Sequence, residues 1–303
     1  MGTAVKKAGL GKQLKANKSA YLFMTPFMLC FVVFTVIPVL IAIVYSFTYF
    51  DIFNPPQFVG VDNYINLFLN DPPFIKALQN TLVLAMITGP ISYMLCFIFA
   101  WLVNDLPPKV RAVITFICYA PSLSGSALYV WTIIFSSDQY GFLNSILRSI
   151  GIINEPIRWL TDPAYIFGVC IVLALWLSLG NSFLTFVAGL QGVDTSMYEA
   201  GAIDGIRNRF QELWYITLPS MKPQLLFGAV MNITAAFTIG DVLQRVVGSP
   251  TTDYAAHTLV NVLQDYGSLR YELGTACAVA TILFLLMVSC NMIIQKLIRK
   301  VGS

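Results

Sequence analysis

The amino-acid sequence predicts an all-α membrane protein with six transmembrane helices and one long polar loop on its cytoplasmic side. Three observations carry that reading. Of 303 residues, 57% are hydrophobic and only 11% charged, at a mean hydropathy of +0.73, whereas a water-soluble domain has about a quarter of its residues charged. The apolar residues gather in runs long enough to cross a bilayer, for which a helix needs roughly 20 residues at ~1.5 Å rise each. The basic residues are shared unevenly among the segments that join those runs. Intrinsic disorder is excluded as well, because 14% of the chain is Phe, Trp or Tyr and disordered chains are poor in aromatics.

In order along the chain, a basic tail over 1–21 precedes spans over 22–47, 81–103, 112–135, 164–189, 225–243 and 274–295. The tail suits a topology signal and a contact with anionic lipid. The first span is too long for a cleaved secretory signal, whose apolar core runs about 7–15 residues. Pro26, Pro38, Pro90 and Pro121 fall in or near the spans and predict kinks there. With the N-terminus inside, the inner segments hold 13 Lys and Arg and the outer ones 5, together the 18 of the chain. The positive-inside bias therefore places both termini in the cytoplasm. The outer loops 48–80, 136–163 and 244–273 are rich in Pro, Asn, Asp and aromatics, as short turns and helices at a membrane surface require. No solenoid-period repeat divides the chain, so 22–303 reads as one membrane domain.

The six cysteines lie in apolar runs without CxxC spacing and read as small core residues. His257 stands alone in TTDYAAHTL, without metal-site context.

The passage from about 190 to 224, between the fourth and fifth spans, is the longest inner connection. Ser196 with Glu199 fits a capping box that would start a short helix. Gly205 suits the left-handed residue that closes one, with Asp204 beside it. A second helix comes next, apolar at Ile206, Phe210, Leu213, Trp214 and Thr217 and polar at Arg207, Asn208, Gln211 and Glu212, and Pro219 is expected to stop it. Helical spacing leaves two readings open: an interfacial helix that pads the membrane surface, or an element that a cytosolic partner grips.

Within that passage, Glu199-Ala200-Gly201, then Asp204-Gly205, then Ile216-Thr217-Leu218-Pro219 resemble the EAA loop of the permease subunits of bacterial ABC importers. The stretches FVGVDNYINLF, FIKALQNTL, YGFLNSILRSIGI, WLTDPAY and VAGLQGVDTSMYEA are similar to the carbohydrate-uptake branch, the maltose and multiple-sugar type, so that the likeness runs from about residue 20 onward. Gly201 departs from the pattern, which prefers Ala, at a cost in helix propensity of about 1 kcal/mol.

The resemblance implies the type I ABC importer fold and a permease domain over 22–303 in the bacterial cytoplasmic membrane. It implies that Glu199, Ala200, Gly201, Asp204, Gly205, Leu218 and Pro219 form a coupling loop seated in a cytosolic ATPase subunit. It further implies a second homologous permease, two ATPase subunits, an extracytoplasmic solute-binding protein on the outer loops, and a sugar as cargo, with an oligosaccharide expected and a glycerol phosphate or polyol as the alternative. The chain has no GxxxxGK[ST] loop; Gly9-Leu10-Gly11-Lys12 lacks both the spacing and the hydroxyl residue, so ATP and Mg fall to the partner ATPase and no cofactor is expected here. Nucleic acid is not an expected partner.

Polar side chains within spans are costly unless they face a cavity or another helix. In the fourth span these are Ser178, Asn181 and Ser182 beside Trp176, and in the fifth Asn232, Thr234, Thr238 and Asp241 beside Phe237. Aromatic faces, amides and hydroxyls together suit a sugar path, although Ser, Thr and Asn also join membrane helices to one another. Asp241 has Arg245 four residues on. An ion-coupled transporter would instead want carboxylates near mid-membrane, and a membrane-embedded enzyme a polar cluster around a His. The sequence offers neither.

Overall fold

The computed structural model describes residues 18–299, without the side chains of Ser126, Asn181 and Arg299. The apolar runs fold as helices, and most departures from the expected spans occur where proline, serine or glycine interrupts the hydrogen-bond ladder. Helix α1, Lys18–Tyr45, passes through a π turn at Val32–Val36, where the Ile37 N–H donates to the Val32 carbonyl. Pro38 comes directly after, and its ring crowds the carbonyl four residues back, which a wider turn relieves. The tail before Lys18 lies outside the described residues.

A two-stranded hairpin, β1 (Thr48–Tyr49) and β2 (Gln57–Phe58), leads to the short α2, Asp62–Asn70. The long α3, Pro72–Asn104, is capped by Asp71, whose carboxylate accepts from the Phe74 N–H at 3.1 Å. It starts nine residues before the expected 81, because its polar first turns are satisfied by a distant loop. The Asn80 amide donates to the Tyr254 and His257 carbonyls, each at 2.9 Å, and Thr81 Oγ1 accepts from the Leu259 N–H at 2.9 Å. Pro90 is carried inside α3 without a break.

The third expected span, 112–135, is two helices: α4, Pro108–Leu123, and α5, Leu128–Ile134, bent by 85°. Pro121 lies in the last turn of α4 and Ser124 is extended, so the ladder ends where the apolar pattern reads as continuous. The short α6, Phe142–Ser149, lies in the next loop. The fourth span runs over Pro163–Gln191 as α7 (Pro163–Leu177) and α8 (Asn181–Gln191), joined at Ser178–Gly180. The fifth comprises α11 (Lys222–Thr238) and α12 (Gly240–Val247), bent by 43°. A Cβ at Gly240 would stand 1.9 Å from Thr258 Oγ1, so only glycine admits the loop that presses on this bend. After α13, Leu259–Gln264, the chain ends its described part in α14, Leu273–Arg299. Among the described residues, four helices are long and apolar enough to cross a membrane, or up to six if each bent pair is one span.

Helix α3 is the axis of the packing. It carries α8 and α11, which also pack on each other, and α11 packs on α14. Phe186 sits edge-on to Tyr93 and Phe97, at 5.3 and 5.7 Å between ring centroids. Opposite it is Gly228, where a Cβ would come within 2.5 Å of the Phe186 ring.

Candidate functional site

The polar passage folds as two helical segments laid against each other. The first, α9, is Thr195–Ile203, and its cap is Asp194, whose carboxylate accepts from the Ser196 N–H at 2.9 Å. The capping box expected from Ser196 and Glu199 does not form. Asp194 reaches the amides of the first turn from two residues earlier, leaving Ser196 inside the helix. That Ser196 amide holds the Asp194 carboxyl below its ordinary pKa.

Helix α9 closes as its turn chemistry predicts. Gly205 has φ +95°, the Ile206 N–H donates to the Gly201 carbonyl at 2.9 Å, and the Gly205 N–H donates to that of Ala202 at 3.3 Å. This is a Schellman motif, in which a left-handed glycine lets the chain satisfy the last free carbonyls.

The second segment, α10, covers 209–220 and differs from the expected helix at both ends. It begins after Asn208, whose side chain accepts from the Gln211 N–H at 2.8 Å. Pro219 does not stop it: a π turn at Leu213–Thr217 precedes the proline, the Leu218 N–H donates to the Leu213 carbonyl, and helix continues through Leu218–Ser220. The cause is the one found at Pro38, a widened turn that takes in the proline ring. The added residue also rotates the inward face. Ile216 and Thr217 are buried, whereas Phe210, Trp214 and Tyr215, at 73%, 64% and 66% exposure, are not.

The two segments are joined by Tyr198 OH with Thr217 Oγ1 at 3.0 Å, and by Ile216 lying over Gly201. A Cβ at Gly201 would stand 2.6 Å from Ile216 Cδ1 and 3.2 Å from Ile206 Cδ1, so a larger residue here requires the end of the Ile216 side chain to move. Glu199, Ala200, Ile203, Asp204 and Gly205 are exposed, Ile203 at 87%. Leu218 and Pro219 belong to α10, half-buried and exposed respectively.

Sequence reasoning missed a further contact of this passage. Arg209 forms an ion pair with Asp105 and lies 5.2 Å over the Trp101 ring, and Phe210 packs 5.6 Å from the same ring. A cleft of about 460 Å³ opens beside them, lined by Asn104, Arg111, Gln191 and Tyr198 among others. Only a single Trp near the end of an expected span hinted at it.

The expected path residues fall into separate surroundings. Trp176 packs edge-on to Trp131 at 5.2 Å. Ser178 lies in the break between α7 and α8, where its hydroxyl donates to the Leu175 carbonyl at 2.6 Å and its own carbonyl accepts from Cys96 Sγ at 3.2 Å. Asn181 opens α8, and its side chain lies outside the described residues; Ser182 is buried. On α11, the Asn232 amide donates to the Gly228 carbonyl at 3.1 Å, and Thr234 and Thr238 donate to the carbonyls four residues back, each at 2.9 Å. Asn232 and Phe237 are both buried against an apolar groove of about 470 Å³ shared with α3 and α14, while Thr238 is exposed. Asp241 pairs with Arg245 at 3.0 Å and accepts from the Gln264 amide at 2.9 Å.

The structure adds one junction to this set. A Cβ at Gly180 would stand 3.2 Å from Ser122 Cβ, and one at Gly125 would stand 3.7 Å from Arg245 Nη1. The breaks of the third and fourth spans therefore meet, with the fifth span's arginine beside them. Non-helical backbone at membrane depth is stable only when buried in protein or facing a wet cavity. The run Pro121-Ser122-Leu123-Ser124-Gly125 was its visible sign in the sequence.

No protein-family model matches the chain. It is 30% identical over 288 residues, 93% of this chain and 91% of the relative, to the probable ABC transporter permease protein YesP of Bacillus subtilis strain 168. It is 28% identical over 298 residues, 97% of this chain and 93% of the relative, to the arabinooligosaccharides transport system permease protein AraP of the same organism. Its fold matches a chain of a bacterial ABC transporter involved in the import of the acidic polysaccharide alginate, at a TM-score of 0.76 and 22% identity, covering 97% of this chain and 99% of that one. The helical architecture and these relatives agree: the chain is a multi-pass membrane protein that belongs to the permeases of ABC transporters of the sugar-uptake branch.

Proposed function

We propose that this permease forms half of the path by which a sugar, in particular an oligosaccharide, is imported across the bacterial cytoplasmic membrane. Each bent helix pair counts as one span, which makes six, with both termini and the α9–α10 passage in the cytoplasm. A second homologous permease completes the path. Two ABC ATPase subunits bind ATP and Mg and grip Glu199, Ala200, Asp204 and Gly205, with Gly201, Leu218 and Pro219 shaping the loop from behind. A solute-binding protein delivers the sugar to the outer loops. ATP-driven closure draws the coupling loops together and re-aims the cavity, so that cargo crosses by alternating access while no bond of the sugar is broken. Trp176, Ser178, Asn181, Thr234, Thr238 and Asp241 are the residues proposed to face it, with Asn232 and Phe237 supporting the fifth span from the core side.

The observation that carries this reading is the exposed face of α9. It is held by Asp194 at one end and the Gly205 turn at the other, and Ile203 on it is 87% exposed among the described residues. Glu199→Lys and Gly205→Asp are expected to abolish uptake and binding-protein-stimulated ATP hydrolysis while the permease remains in the membrane at normal amounts. Normal transport by both variants would sink the docking assignment. The cargo is tested separately by screening the solute-binding protein against mono- and oligosaccharides, polyols and glycerol phosphates. Binding of polyols alone would move the proposal to the alternative cargo.

A further inference from the structure

Helix α3 is gripped at both ends by parts of the chain more than 100 residues away. At one end, Trp101 and Asp105 hold Arg209 of the docking passage, through an ion pair and a guanidinium 5.2 Å over the indole, with Phe210 packed 5.6 Å from the same ring. At the other end, Asp71 accepts from Tyr266 OH at 2.6 Å, Asn80 donates to the Tyr254 and His257 carbonyls at 2.9 Å, and Thr81 accepts from the Leu259 N–H at 2.9 Å. Between Thr81 and Trp101 the helix runs through Pro90 without a break, about 30 Å at ~1.5 Å rise per residue and comparable to a bilayer's hydrocarbon core.

From this we infer that α3 is a stiff rod coupling the docking loop to the loop 251–266 on the opposite face, and that Arg209, Trp101 and Asp105 are positioning residues that fasten the loop to it. The inference rests on the proposed function and adds to it a route that does not run through the chain flanking the loop. Arg209 and Asp105 are 53% and 40% exposed, and an exposed ion pair by itself is weak and screened by salt. The indole supplies what the pair lacks: a planar guanidinium stacks on a ring and keeps its donors aimed at a carboxylate, which an ammonium does not reproduce. The docking passage is also continuous with α8 and α11, and its Val193 and Leu218 pack on the cluster that holds Cys96 and Ala100 of α3. The Arg209 grip adds to that packing a charged and stacked contact with the end of α3.

The test uses the complete transporter in liposomes, with both permeases, the ATPases and the binding protein. The measurement is sugar taken up per ATP hydrolysed. Arg209→Ala and Trp101→Leu are expected to lower this ratio about threefold or more, the scale of coupling changes seen at sites touching neither ligand, with assembly unchanged. Arg209→Lys should fall between Arg209→Ala and the unaltered protein, and exchanging the charges as Asp105→Arg with Arg209→Asp should recover at least half of the loss. At the far end, Tyr266→Phe should lower the same ratio. Because the two grips act in series, the Arg209→Ala, Tyr266→Phe double variant should be no worse than the poorer single one. An unchanged ratio in Arg209→Ala and Trp101→Leu, no recovery on charge exchange, or losses that multiply in the double variant would each overturn the rod. Absence of binding-protein-stimulated hydrolysis and uptake in the unaltered transporter would overturn the importer reading and the rod with it, which separates the two failures.

Discussion

Gly201 shows how one missing methyl is set by a contact elsewhere. Alanine there would raise helix propensity by about 1 kcal/mol, but its Cβ would press on Ile216 Cδ1, 2.6 Å away. Overpacking a filled site costs typically about 1–3 kcal/mol, so Gly201→Ala is expected to destabilise the α9–α10 pair by about 1 kcal/mol. Removing the obstructing atom with Ile216→Val should return the double variant to parental stability or above. Thermal unfolding in detergent, with hydrogen exchange read over 195–220, checks both. His257 provides the pH-sensitive case. Burial lowers its pKa below the usual value, against the smaller upward pull of Asp265 and Asp71. A depressed histidine favours the neutral form in the fold, so its contribution is complete above the ordinary pKa of about 6.5 and is lost as pH falls through that value toward the folded one. Stability should fall from about pH 6.5 downward, and His257→Gln should flatten that part of the profile in unfolding measured across pH. A parental profile that is already flat there would contradict this.

At the scale of elements, proline has more than one outcome among the described helices: Pro26 and Pro90 are carried inside unbroken helix. Before Pro38 and Pro219 the helix widens into a π turn and goes on, whereas after Pro121 it breaks and turns by 85°. After Pro121, Ser122-Leu123-Ser124-Gly125 offers hydroxyl side chains and a glycine that favour leaving the helix. Helix-to-helix contact is equally specific. The ring of Phe186 on α8 occupies the space above Gly228 on α11, where a Cβ would be 2.5 Å away. Gly228→Ala is therefore expected to cost about 1–3 kcal/mol by forcing the two helices apart, seen as a lower unfolding temperature and reduced uptake. These helices lead into and out of the docking passage, so loosening them should also weaken ATPase stimulation. Unchanged stability would show that α8 and α11 can slide to accommodate the methyl.

For the whole molecule, α3 sits where the packing converges, and the segments that hold its two ends, around Arg209 and over 254–266, both come from the second half of the sequence. Among the described residues, two helices have little of their own protein around them: the candidate span in α1 has none of its most apolar window buried, and α4 has no buried residue. The remaining spans enclose a core split into three clusters of buried side chains, each with α3 or α7 at its edge. Such cores are packed as densely as organic crystals and resist compression.

The sequence by itself determined the solvent, the class and the place of the long polar passage. Apolar runs of span length admit only helices in lipid, since every backbone amide must be satisfied within its own segment. The glycine turn at Gly205 and the family motif were likewise visible, because both depend on a few residues in local order. Only the tertiary structure decided the rest. Asp194 displaced Ser196 as the cap, and the π turn made Ile216, not Trp214, the inward residue. The third span proved to be two helices, and Asn232 and Phe237 turned toward α3 and α14, away from Thr238. Arg209 found Trp101 and Asp105 across more than 100 residues of chain. The physical reason is the same in each case. Hydrophobic patterning says that a residue leaves water, but inside a membrane protein nearly every residue does so, and which neighbour it meets is settled by packing between segments that the one-dimensional pattern does not relate.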